Sequence, residues 1–117
     1  MKKEAVHEPN GCKIGSILEV LGSAWTMQIL WYLGQNGPMR FGVLKQQVQG
    51  ISARVLTERL RTLEERGFVF RKYEQTIPPT VTYGLTERMK DMEKVFKQLE
   101  AVAMGWDGKG AESSAGD

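Results

Sequence analysis

The sequence predicts a mainly α-helical domain that carries a two-stranded β-hairpin, and three observations predict it. Apolar residues recur at helical spacing in successive segments up to Gly67. The period then changes to the strand-like alternation of FVFRKY at 68–73 and VTYGL at 81–85. From Thr86 to Trp106 helical spacing returns, this time as a narrow and regular apolar seam. At 117 residues the chain is near the usual size of one domain and long enough to bury a single core.

Taken in order, Ile14, Ile17, Leu18 and Leu21 define a first helix from Lys13 to Leu21, closed by Gly22. Ser23 is the expected cap of a second helix, in which Trp25, Ile29 and Leu33 recur at four-residue steps. The run GQNGP at 34–38 breaks it with Gly and Pro. A short third helix holds Phe41, Leu44 and Val48 and ends before Gly50. Then comes ISARVLTERLRTLEERG, residues 51–67. Ser52 is its N-cap, without a capping box because Val55 stands three residues later. Leu56, Leu60 and Leu63 share one side of this helix, Arg54, Glu58, Arg61 and Glu65 the other, with Thr57 on the flank. Gly67 ends it.

The hairpin follows at once. Pro78 and Pro79 cannot sit inside a ladder, so EQTIPPT at 74–80 is its loop. Thr86 is the expected cap of a long last helix in which Met89, Met92, Phe96, Leu99, Ala103 and Trp106 recur at steps of 3, 4, 3, 4 and 3. A single small domain has little need for so narrow a seam, whereas a partner helix does. A short helix, a tight turn, an amphipathic helix with a polar outer face and then a hairpin outline a winged helix-turn-helix.

Charge points the same way. Net charge is only +2, but residues 40–72 hold eight Lys or Arg against three Glu, a local +5 that leaves −3 for the rest. A basic middle with acidic flanks suits a polyanion-binding centre. Cys12 is the only cysteine, which excludes an internal disulfide. No apolar run approaches the ~18 residues of a membrane span. The N-terminus has no apolar segment behind its lysines, so no signal peptide is expected and the chain is placed in the cytoplasm. The expected organisation is a flexible arm over 1–11, the DNA-binding and dimerisation domain over 12–106, and a Gly/Ser-rich flexible tail over 107–117.

Residues 12 to about 106 resemble the HxlR-type winged helix-turn-helix transcriptional regulators, relatives of the MarR group. The resemblance is carried by Cys12, Trp25 in LGSAWTMQIL, Arg40-Phe41, the block ISARVLTERLRTLEERG and the wing stretch IPPTVTYGLT. It implies a homodimer formed by the last helix with help from the first, which places two recognition helices, Ser52 to Arg66, in successive major grooves of double-stranded operator DNA. It implies no cofactor, and in many members a response to reactive or toxic small molecules. The chain departs from the family pattern in three places. Lys13 replaces a Pro after the early Cys, and Gly22-Ser23-Ala24-Trp25 lacks the Lys of a typical Gly-Gly-Lys-Trp. In the wing, Thr80 and Thr82 replace an Arg and a Glu. Without a basic residue at 80 the wing tip should grip phosphate less strongly.

Within that outline each site residue has a role and a plainer alternative. Arg54 and Thr57, nearest the helix start, are best placed for base edges: Arg bonds guanine bidentately and the Thr methyl packs on thymine. Ser52 and the first amides of the helix suit a phosphate. Arg61 suits the groove wall, Arg40 a phosphate clamp, and Lys72, Gln75 and Thr80 wing contacts. The alternative for the helix is a solvated face of Arg54–Glu58 and Arg61–Glu65 pairs. Cys12 is either a small buried hydrophobe or, beside Lys13 and a helix start, a candidate redox or electrophile sensor. His7, beside Glu4 and Glu8, reads as a surface residue, and no spacing suggests a metal site or an enzyme. Trp25, Trp31 and Trp106 read as core or interface aromatics, the alternative being a ligand pocket lined by Trp25 and the final helix. The rival to DNA binding is a winged-helix module that binds a protein partner through the hairpin and last helix.

Overall fold

Nearly every expected element forms, and those that differ do so for identifiable reasons. The computed structural model describes residues 14–108; the expected arm, Cys12, His7 and residues 109–117 lie outside the described residues. The order is α1 (Gly15–Leu21), α2 (Thr26–Asn36), β1 (Met39–Arg40), α3 (Phe41–Gln47), α4 (Ala53–Glu65), β2 (Val69–Glu74), β3 (Thr80–Leu85), a 3₁₀ turn (Arg88–Asp91) and α5 (Met92–Gly108).

The core is where the 3.6-residue period points. Ile29, Leu30 and Leu33 of α2 meet Leu44 of α3, Val48 just after it, and Leu56, Leu60 and Leu63 of α4, while Val69 and Leu85 of the sheet, with Phe68 just before β2, close it. Burying each such side chain contributes about 1.5–3 kcal/mol. Gly50, in the turn between α3 and α4, has φ +95, and a Cβ there would stand 3.3 Å from the Trp25 ring. Only glycine takes that conformation cheaply and lets the indole lie against the turn.

The sheet has three strands rather than the expected two. Met39 pairs with Tyr83 and Arg40 with Thr82, giving the antiparallel order β1-β3-β2. A two-residue strand is too short to show alternation, and it is recruited because β3 offers a free edge after the hairpin forms. The hairpin register runs from Val69–Leu85 to Glu74–Thr80, with both prolines in the loop as expected.

Two caps also differ. The residue that enters α2 is Trp25, at φ 75 and with no side-chain cap, while Ser23 contributes its carbonyl to the Thr26 N–H at 3.1 Å. Thr86 caps no helix with its side chain. Its hydroxyl donates to the Gly67 carbonyl at 2.7 Å, so it ties the chain after β3 to the end of α4.

The apolar faces of the first and last helices are the third difference. In α1 only Val20 is buried, and Ile14, Ile17 and Leu18 face outward. In the last segment Met89 and Phe96 are buried in the chain's own core, Phe96 edge-on to Trp31 with ring centroids 5.7 Å apart. Leu99 is 50% exposed and Trp106 66% exposed, and Val95 and Val102 are exposed beside them. Ala103 is exposed and Met92 half-buried. Val95, Leu99, Val102 and Trp106 lie within ~60° of one another at 100° per residue, so the uncovered stripe is turned away from Phe96.

Candidate nucleic-acid interface

The central feature is α4 and what holds it. Ser52 takes the extended backbone of an N-cap and its hydroxyl oxygen accepts from the Val55 N–H at 3.1 Å. The hydroxyl proton remains available to a phosphate. Replacing Ser52 by Ala should therefore lower unfolding stability by about 1 kcal/mol, checked by urea denaturation, because one N–H loses its partner. The other end closes as a Schellman motif: Phe68 N–H bonds to Leu63 O at 2.8 Å and Gly67 N–H to Glu64 O at 3.0 Å, with Gly67 at φ +77. Phe68 and Leu63 are both buried, so the motif carries its usual hydrophobic contact into the core.

A third tether comes from a residue that sequence reasoning did not single out. Arg59 donates from Nε to the Ala24 carbonyl at 2.8 Å, fastening α4 to the turn before α2. One of the basic residues that made the centre positive is thus partly structural. Composition gave no signal of this, since its partner lies 35 residues away.

With its Leu face buried and both ends closed, α4 has one direction left for Arg54, Thr57 and Arg61. All three are exposed. The Arg54 side chain is 87% exposed and its Nε sits 3.4 Å from Glu58. Such an exposed pair contributes a few tenths of a kcal/mol and yields easily to a stronger acceptor. Among the described residues Arg61 and Glu65 form no ion pair, so only half of the solvated-face alternative is realised.

The sheet brings two further sequence candidates together. Arg40 faces Thr82 across β1–β3, and Thr82 faces Lys72 across β3–β2. Directly opposed residues share a face, so two cations flank a threonine in one row, their strands about 10 Å apart. Lys72 also sits 3.4 Å from Glu74. The wing loop is different in character. Thr80 is half-buried, and its hydroxyl lies 3.4 Å from both Glu74 and Thr76. Gln75 is exposed, and the tip residue Ile77 is 100% exposed. The cationic part of the wing is therefore its base, at Arg40 and Lys72, and not its tip.

No helix among the described residues is long and apolar enough to cross a membrane, and none of their His, Asp or Glu side chains cluster as a metal site. The arrangement offers guanidinium and hydroxyl groups on a projecting helix and, on the sheet, a row with two cations. Groups of this kind suit contact with a polyanion.

Known proteins share this fold. The family model for the HxlR-like helix-turn-helix matches residues 20–110. The transcriptional regulator YodB of Bacillus subtilis is 34% identical over 91 residues, which cover 78% of this chain and 80% of YodB. Its reduced form superposes with a TM-score of 0.70, covering 79% of this chain and 89% of that one. The redox regulator HypR in its oxidized form superposes with a TM-score of 0.69 at 30% identity, covering 80% and 96% of the two chains. The HTH-type regulator YybR of Bacillus subtilis, itself uncharacterized, is 34% identical over 99 residues, covering 85% of this chain and 78% of YybR. With α4 presented as a recognition helix and a wing behind it, this chain belongs to the HxlR-like helix-turn-helix family and is a DNA-binding transcriptional regulator.

Proposed function

We propose that the chain acts as a homodimer that binds a pseudopalindromic operator and represses transcription by occluding a promoter. The outward face of α4 carries this reading: Arg54, Thr57 and Arg61 project from a helix whose other face and both ends are committed. Arg54 and Thr57 contact base edges. Ser52, Arg40, Lys72 and Arg61 hold phosphates, and Gln75 and Thr80 brush the backbone from the wing. The dimer is supported by the uncovered stripe Val95, Leu99, Val102 and Trp106 on α5, with Ile14, Ile17 and Leu18 of α1 exposed as well. Two-fold symmetry of the protein imposes two-fold symmetry on the site, with half-sites about 10 bp apart.

Cys12 is the proposed sensor of oxidants or electrophiles. Lys13 beside it favours the thiolate, and the likeness to the redox regulator HypR supports a redox input. With no second cysteine, the chemistry is adduct formation or an intersubunit disulfide.

Salt dependence tests the DNA reading. If the dimer neutralises ~6 phosphates, log K for an operator duplex should fall with log salt at a slope near −5 in a fluorescence-anisotropy titration. Duplex binding that is absent at every salt concentration would transfer the surface to a protein partner.

A further inference from the structure

We infer that the chain binds a small amphipathic carboxylate in the cavity between α1, the end of α4 and the start of α5. This cavity holds about 490 Å³, within the ~300–1,000 Å³ range of small-molecule sites. Its apolar lining comes from Ile17, Phe68, Met89, Met92 and Val95. The polar groups are few, and two of the four are cationic. Arg66 and Arg88 border the cavity with Asp91 and Ser16, which leaves an excess of one positive charge. Among the described residues neither guanidinium has a carboxylate within ion-pair distance.

Arg88 is the central group. Its guanidinium lies over the Phe68 ring, 5.2 Å from the centroid, and its Nη2 donates to the Arg66 carbonyl at 2.6 Å. The ring contact and the bond to Arg66 hold the guanidinium in place while its remaining N–H groups stay unengaged by any acidic side chain. A planar, pre-positioned guanidinium is suited to bidentate bonding of a carboxylate. The apolar floor beneath it then selects a ligand with a hydrocarbon or aromatic body. Inorganic phosphate lacks that body and would leave the floor uncovered.

The position of the cavity gives binding a consequence. Arg88 joins the 3₁₀ turn to Arg66, the residue that closes α4. A carboxylate that draws Arg88 toward itself weakens that bond and lets the end of α4 shift against α5. Occupancy would then lower operator affinity by moving the two recognition helices out of register. That regulatory half rests on the DNA reading above, whereas the site itself does not.

The test uses the full chain without DNA, titrated with 3-phenylpropionate and followed by amide chemical shifts. Saturable shifts are expected at 66–68 and 88–92. Affinity should fall about tenfold or more for 3-phenylpropanol, which has the same body without the charge, and for Arg88→Met, the scale of one charge-assisted hydrogen bond. Since Arg88→Met also removes the bond to Arg66, Ser16→Trp serves as a second variant. It fills the cavity from an exposed position and should abolish binding with Arg88 intact. Equal affinity for acid and alcohol, binding that survives Ser16→Trp, or no saturable shift would each overturn the site. So would binding that simply dissociates the dimer, because the groove would then belong to a second copy. A gel-shift arm separates the two halves. Unchanged operator affinity with the probe bound would overturn the regulatory half alone, and failure to bind duplex even without probe would overturn the proposed function and leave the site judged by the shifts.

Discussion

Replacing Arg54 by Ala is expected to erase operator discrimination and leave the dimer intact. The side chain projects from the first turn of α4, and its one polar contact among the described residues is with Glu58 at the protein surface. Its loss therefore costs the fold no more than a few tenths of a kcal/mol. At the operator the loss is larger. A good bidentate Arg–guanine pair is worth about 1–3 kcal/mol of discrimination, and a dimer makes two. Specific binding should weaken roughly 30-fold at the low end and a little under 10³-fold for two pairs of average strength. Affinity for random duplex should change far less. Parallel titrations of operator and scrambled DNA check the difference. A variant with operator discrimination intact would move base readout elsewhere on the face.

The second large effect concerns α5. Leu99→Asp with Val102→Asp should give a folded monomer, because both residues are exposed within one chain. Operator affinity should then fall on the order of 10²–10⁴-fold, the advantage lost when two linked half-sites become independent. Light scattering and gel shift read the two consequences separately. Phe96 would be the wrong position for this test. It is 5% exposed and packed edge-on against Trp31, so a buried carboxylate there would unfold the chain before it informed on the dimer. A dimer that survived the Leu99/Val102 pair would place the interface away from this stripe.

That contrast shows how far the residues alone could be read. Periodicity marked Met89, Met92, Phe96, Leu99, Ala103 and Trp106 as one seam, and each of them lies on the last segment as expected. What periodicity lacks is any distinction between burial inside a chain and burial between chains. It also assumes a constant turn. Residues 88–91 form a 3₁₀ turn, which advances about 120° per residue against 100° in an α-helix, so four residues shift the phase by about 80°. Met89 is carried into the core, and Leu99 and Trp106 of the expected seam share the uncovered stripe with Val95 and Val102.

The recognition helix was legible for the opposite reason. Its signals are local: a Ser cap, leucines on one face and a terminal glycine, all within seventeen residues, and each forms as the spacing requires. The contacts that needed distant partners were not legible. Arg59 looked like one more cation until Ala24 came beside it, and Thr86, expected as a cap that accepts, instead donates to the Gly67 and Phe68 carbonyls. The row Arg40–Thr82–Lys72 likewise depends on β1, whose two residues carry no period of their own.

Whether the Arg face of α4 reads DNA sequence is decided by binding selection against a random duplex library at moderate salt, with the protein reduced. Enrichment of an inverted repeat whose half-sites lie about one helical turn apart is expected, with loss of that enrichment in Arg54→Ala. Failure to enrich any sequence, with the protein folded and dimeric, would contradict readout by that face.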